Sequence, residues 1–181
     1  LRSHIAHWAE AGVPLTAELM GGTEDPRANA VAVLDQAIAA LPDDVEHISC
    51  RWDAGYFAAD LAKACITRGV SFAIGAKRTR PLMAAGQQAP DEAWVPAIGM
   101  EHTEVAVIGY LPGSWPKDAG ISCIARRTRI PVEKVPTARA RKRRTIPEGQ
   151  LTLALEGRID AVYGYSFLLT GFYIYTVNVQ G

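Results

Sequence analysis

The sequence predicts an α/β fold, in which a mixed sheet with flanking helices is interrupted by a β-rich insertion. Three observations carry that expectation. A strand-helix-strand rhythm runs from Val45 to Ala76, a hairpin pattern precedes it, and beyond Pro81 the texture changes to short strand-like runs punctuated by proline. With 181 residues, 49% hydrophobic and 21% charged, the chain has the composition of one globular domain, or of one domain carrying an insertion.

In order along the chain, "SHIAHWA" and "VPLTAELM" flank Glu10-Ala11-Gly12 and read as two antiparallel strands around a turn, with Pro14 at a strand start or edge. Asp25 followed by Pro26 reads as an N-cap and first turn. Val31, Leu34, Ile38 and Leu41 recur at helical spacing, and Pro42 marks the stop. Next come "VEHISCR", a short β-branched run expected to be a buried strand, and "FAADLAKACITR", which places Phe57, Leu61, Cys65 and Ile66 on one helical face. Gly69 ends that helix and "VSFAIGA" follows as a second strand. The length of about thirty residues suits one βαβ unit, so the two strands should be parallel and share a C-terminal edge. Asp53 stands at that edge, where open α/β sheets bind ligands, and Lys77, Arg78 and Arg80 are expected beside it.

Beyond Pro81, "TEVAVIGYL" and "GISCIARRTRI" read as strands separated by "PGSWPKDA"; "EGQLTLALEG" reads as a short helix and "AVYGYSFLLT" as a returning strand. The boundaries are therefore a partial core over 1–80, a β-rich insertion with a basic stretch over 81–160, and a return strand with an atypical tail over 161–181. No internal repeat is visible.

Net charge is zero, but it is segregated: between Arg126 and Arg144 there are nine Lys or Arg and one acid, Glu133. Arg126, Arg127, Arg129, Arg139, Arg141, Lys142, Arg143 and Arg144 give this stretch the electrostatic footprint of a phosphate-binding surface, against the plainer reading of a solvated basic loop. Cys50, Cys65 and Cys123 include no Cys-x-x-Cys pair, which argues against a zinc site and a disulfide framework and for small buried thiols. His4, His7, His47 and His102 make no metal motif and are expected to be satisfied or exposed. There is no apolar run of about eighteen residues and no charged-then-apolar leader, so a membrane span and a signal peptide are not expected and a cytoplasmic location is. A start at Leu1 rather than Met reads as a processed chain or a fragment.

Taken together, "RWDAGYF", "VSFAIGAKR", "DEAWVPAIG", "GSWP" and "YGYSFLLT", in that order and over most of the chain, resemble the DDE transposases of bacterial insertion sequences, whose ribonuclease-H-like catalytic domain is interrupted by a β-rich insertion. The resemblance implies DNA as partner, Mg²⁺ or Mn²⁺ as cofactor in the intact family, and Asp53 as the second catalytic, metal-binding acid. It also implies what is missing. The family's first strand, with the first catalytic aspartate, would precede Leu1, and the helix bearing the third acid has no counterpart in "GFYIYTVNVQG". Two-metal displacement at a phosphodiester needs several carboxylates around the cations, so Asp53 alone is not expected to catalyse. In the implied strand order, three-two-one-four-five, the absent strand one lies between the hairpin and the Asp53 strand, leaving edges open to self-association. The resemblance thus gives an inactive, incomplete ribonuclease-H-like sheet from a transposase truncated at both ends. The alternative is a noncatalytic DNA-binding remnant that uses residues 126–144. A small-molecule α/β enzyme would need a second catalytic group near Asp53 that the sequence does not nominate.

Overall fold

The computed structural model describes residues 2–135 and 145–171. It is a mixed α/β structure with four helices among the described residues, a two-stranded sheet and a six-stranded mixed sheet. The hairpin is β1 (Arg2–Trp8) and β2 (Val13–Met20), antiparallel from Arg2↔Met20 to Trp8↔Val13. Its turn closes with the Gly12 amide donating to the Trp8 carbonyl at 2.9 Å, and Gly12 takes a φ of 69°, a left-handed conformation that costs a glycine little. The larger sheet has the order β3 (Ser49–Trp52), β4 (Ser71–Gly75), β8 (Ala161–Gly171), β7 (Ser122–Pro131), β6 (Thr103–Ile108), β5 (Val95–Pro96). The helices are α1 (Ala30–Ala39), α2 (Ala59–Thr67), α3 (Arg80–Gln87) and α4 (Glu148–Leu155). The described residues divide into two compact units: 2–75, 113–121 and 170–171 form the first, and 76–112 with 122–135 and 145–169 the second.

In the first unit, β3 and β4 pair in parallel from Ser49↔Ser71 to Trp52↔Ile74, with α2 as the connection, as the strand-helix-strand rhythm predicts. The parallel pair buries Phe72, Ala73 and Ile74 on β4, while α2 buries Leu61, Ala62, Ala64 and Cys65. β3 differs from its expectation as a buried strand. It is the terminal strand of its sheet, only four residues long, with Ser49 and Arg51 exposed, because an edge strand has a ladder on one side only. The hairpin forms no ladder with β3 or β4 among the described residues and instead lies against α1. There Thr16 Oγ1 donates to Gln36 Oε1 at 2.8 Å, and Gln36 Nε2 donates to Glu18 Oε1 at 3.0 Å.

Two local expectations for α1 are corrected. Its N-cap is Asn29, without a side-chain cap, and Asp25 lies upstream in a turn where its carboxylate takes the Arg27 backbone amide at 3.0 Å and the Arg27 guanidinium. Asp25 has a donor within two residues and makes a local turn instead of capping four residues later. The buried positions are Ala30, Val33 and Leu34; Val31 is half-buried and Leu41 lies past the helix end. A run this rich in Ala and Val has apolar residues nearly all round, so spacing alone does not single out the face.

In the second unit, β5, β6 and β7 form an antiparallel ladder, with Thr103↔Thr128, Glu104↔Arg127 and Val105↔Arg126 opposite one another. α3 is an element the sequence reading lacks, since the texture beyond Pro81 reads as β-rich. Pro81 stands in its first turn, and Gly86, near its end, breaks a helical pattern on paper. Space explains the glycine: a Cβ there would come within 2.7 Å of Phe167 Cε1 on β8. Phe167 is 4% exposed and has no room to yield.

The same substitution should therefore act with opposite signs in two helices. Gly86→Ala gains about 1 kcal/mol of helix propensity but forces a shift of a buried ring, costing about 1–3 kcal/mol, so it should destabilise. Gly149→Ala, exposed in α4 with nothing within 4 Å of the added carbon, should stabilise by about 0.5–1 kcal/mol. Denaturant melts of both variants give the test; a stabilised Gly86→Ala would disprove the close α3–β8 approach.

Candidate nucleic-acid interface

In the first unit, Asp53 follows β3 directly and caps a 3-10 turn, Ala54–Tyr56, accepting the Gly55 amide at 2.6 Å. The carboxylate is exposed and makes no ion pair among the described residues. The turn is held close by Gly75, where a Cβ would lie 3.0 Å from the Ala54 nitrogen. Tyr56 and Phe57 act as anchors. The Tyr56 ring lies 5.0 Å from Trp52 and 5.3 Å from His4, and Phe57 lies 5.1 Å from the buried Trp115. Burial, then the Asp53 charge, raises the Tyr56 phenol above its ordinary value. His4 departs from the expectation of a satisfied or exposed histidine: it is 3% exposed, and neither ring nitrogen has a hydrogen-bond partner among the described residues.

No group of three or more His, Cys, Asp or Glu side chains able to hold a metal ion occurs among the described residues. Asp35 is paired with Arg68, and Asp60 with Lys63 at 3.4 Å. The described residues accordingly do not fit the pair of Mg²⁺ or Mn²⁺ ions that the resemblance implies, and no reaction step is derived through them.

The basic residues separate into three groups. Lys77, Arg78 and Arg80 are exposed, at and before the start of α3, and none is ion-paired among the described residues. Arg139, Arg141, Lys142, Arg143 and Arg144 lie outside the described residues. The remainder stand on or just after β7, where strand alternation sends neighbours to opposite faces.

Arg127 points inward. Its side chain is 14% exposed, and it donates through Nε to Glu104 Oε2 at 2.7 Å and through Nη1 to Asp91 Oδ1 at 3.4 Å. The guanidinium carbon sits 4.3 Å from the Trp94 ring centroid and 4.8 Å from that of Tyr163. Burial opposes the charge, but the hydrogen bond and charge of Glu104, with Asp91, outweigh it and hold the guanidinium above its ordinary value. Behind this cluster Trp94 lies edge-on to Tyr165, and Tyr165 stacks with Phe167. Arg129 pairs with Asp160 at 2.9 Å. These two arginines are engaged within the fold.

Arg126 points the other way, into a groove of about 470 Å³ lined by Arg126, Thr128, Lys134, Thr145 and Ser166 together with Ile130, Gly164 and Tyr165. Arg126 Nε donates to Ser166 Oγ at 2.9 Å, which aims the guanidinium without neutralising it, and neither Arg126 nor Lys134 has a carboxylate partner among the described residues. Gly164 keeps the floor low: a Cβ there would stand 3.1 Å from both Ile130 Cδ1 and Thr145 Oγ1. One end of the groove adjoins an apolar cluster of Ile146, Ala154 and Val162, with Ile130 and Leu151 against it, which fixes α4. Lys134 and Ser166 are absent from the residues the sequence nominates. Lys134 belongs to the basic stretch and could have been included on charge alone, whereas nothing in the sequence marks Ser166.

Two neighbouring arginines should thus respond differently. Arg127→Ala removes hydrogen bonds to two carboxylates and a cation–π sandwich, and should cost about 2–4 kcal/mol in a denaturant melt. Arg126→Ala, with an exposed head and one hydroxyl partner, should change stability by no more than about 0.5 kcal/mol. Equal losses would contradict the division of roles along β7. No protein-family model matches this chain, and no curated protein or solved structure matches it at a significant level.

Proposed function

We propose that the chain is part of a DNA transposase, and that its own contribution is grip on the DNA backbone rather than phosphodiester chemistry. The observation that carries the binding part is the groove at β7 and β8. It brings the Arg126 guanidinium and the Lys134 ammonium, neither with a carboxylate partner among the described residues, together with the hydroxyls of Thr128, Thr145 and Ser166. Phosphodiester oxygens are acceptors only and carry charge, so cations flanked by hydroxyl donors match them. Lys134 and Thr145 both line the groove.

The transposase part rests on the resemblance, and the first unit supports it. The order hairpin, helix, strand followed by Asp53, helix and parallel strand is compatible with the resemblance. The hairpin and the β3–β4 pair belong to separate sheets among the described residues. The open edge of β3 is then a place for self-association. The resemblance makes Asp53 a metal-binding acid, and no carboxylate partners to share a cation adjoin it among the described residues, which favours binding without cleavage.

Fluorescence anisotropy of a labelled duplex tests the reading. Affinity should fall at least about tenfold between 50 and 200 mM salt through counterion release, with little preference among sequences. Arg126→Glu with Lys134→Glu should weaken binding about tenfold or more on every duplex, while Asp53→Ala leaves binding unchanged. A salt-independent affinity, or full affinity in the doubly reversed variant, would overturn the proposal. Nicking of the duplex in Mg²⁺ that Asp53→Ala abolishes would overturn its noncatalytic part.

A further inference from the structure

Cys50 and Cys65 lie fifteen residues apart in the sequence, yet their sulfurs stand 3.8 Å from each other in the first unit. Both are free thiols. Cys50 is on the edge strand β3 and is half-buried; Cys65 is on α2 and fully buried, so solvent reaches the pair from the Cys50 side. A second donor converges on the same atom: Trp52 Nε1 donates to Cys50 Sγ at 3.0 Å. Trp52 is itself held by the Tyr56 ring at 5.0 Å. Two thiols in contact, one of them reachable by small molecules and supported by an indole N–H, form an arrangement that packing alone does not require.

From this geometry we propose that Cys50 and Cys65 are a peroxide-sensitive dithiol that closes to a disulfide between β3 and α2. The proposal is independent of the nucleic-acid reading, which uses neither thiol. The hydrogen bond from Cys65, then that from Trp52, lowers the Cys50 thiol below its ordinary value although burial opposes it, whereas Cys65 is raised, by its bond to Cys50 first and by burial second. Cys50 therefore supplies the thiolate. Its sulfur attacks one oxygen of a peroxide, the O–O bond breaks, and hydroxide leaves, giving a sulfenic acid on Cys50. The Cys65 sulfur then displaces the sulfenic oxygen, its proton departing with that oxygen as water. Two thiols are oxidised, the peroxide is reduced to two waters, and one S–S bond forms. A disulfide needs sulfurs at about 2.05 Å, so the pair must close by under about 2 Å, within reach of side-chain rotation and a small shift of an edge strand.

Cys123 is the internal control. It lies in the second unit, fully buried, with its thiol pushed up to about 12 by that burial, and no sulfur partner adjoins it among the described residues. The experiment treats the fully reduced, folded chain with hydrogen peroxide, quenches with an alkylating agent, and maps the cysteines without reduction. Before the quench the intact mass should fall by about 2 Da, the two hydrogens lost, and mapping should find Cys50 disulfide-linked to Cys65 and Cys123 alkylated, hence a thiol when quenched. Cys65→Ser should stop at the first step, leaving a Cys50 adduct with dimedone. Cys50→Ser should slow thiol loss at Cys65 at least about tenfold. Three intact thiols after treatment, a Cys50 link between two chains, or oxidation of Cys123 as fast as Cys50 would each overturn the proposal. Mapping of the unaltered chain decides the matter even where a variant fails to fold.

Discussion

The second unit depends on one guanidinium. Arg127 faces Glu104 across the β6–β7 ladder, takes Asp91 from the turn before β5, and lies between the rings of Trp94 and Tyr163. Three segments distant in sequence are thereby tied to a single planar cation. A guanidinium suits this because its five donors lie in one plane, leaving two faces for aromatic rings; an ammonium would keep the charge but lose the stack. The clamp also sets what happens on the opposite face. Strand alternation has period two, so with Arg127 directed at Trp94 and Tyr163, Arg126 and Thr128 must point away, and Gly164 and Ser166 on β8 lie opposite Tyr163 and Tyr165 in the same sense. The groove is a consequence of that register, and a slip of one residue would bury the wrong arginine.

The first unit shows a different constraint: a parallel strand pair with one side unclosed. β4 is buried on both faces and β3 is half exposed, so the stability of the pair rests on α2 and on Phe72, whose ring packs so closely against Gly171 that a Cβ there would not fit. The end of β3 is held by aromatic contacts among Trp52, Tyr56 and His4. These fix Asp53 at the close of the strand, where its carboxylate is used by the Gly55 amide. A strand-end acid is present; no further acids that could share a cation with it are grouped there among the described residues.

The legible and illegible parts of the sequence differ in a physical way. The hairpin, the parallel βαβ unit and the strands at 103–108, 122–131 and 161–171 were readable because each is bounded by turn residues and carries its own period. α3 was not, because its glycine reports a neighbour's ring rather than a turn, and that neighbour lies eighty residues away. The α1 face was misplaced because Ala and Val surround the helix. Within the site, the basic stretch was legible as charge, but the division between Arg126 and Arg127 was not. It depends on which face of β7 meets Glu104 and Trp94, and two adjacent arginines look alike until the partner strands are known. Cys50 and Cys65 illustrate the same limit, since a spacing of fifteen residues carries no metal or redox motif.

Charge distribution then connects the fold to its proposed use. A chain of zero net charge gains no long-range attraction to DNA from its total, so any affinity must come from local density, and local density survives only where cations are not spent on carboxylates. β7 shows both fates within four residues. Arg127 and Arg129 are consumed by Glu104, Asp91 and Asp160, which stabilises the unit and removes them from the surface potential. Arg126, oriented by a neutral hydroxyl, keeps its full charge and a defined direction, and Lys134 joins it across the groove. An anion meeting that surface displaces water and counterions but breaks no ion pair. It is this cost, lower at Arg126 than at Arg127 or Arg129, on which the proposal for the outward face of β7 rests.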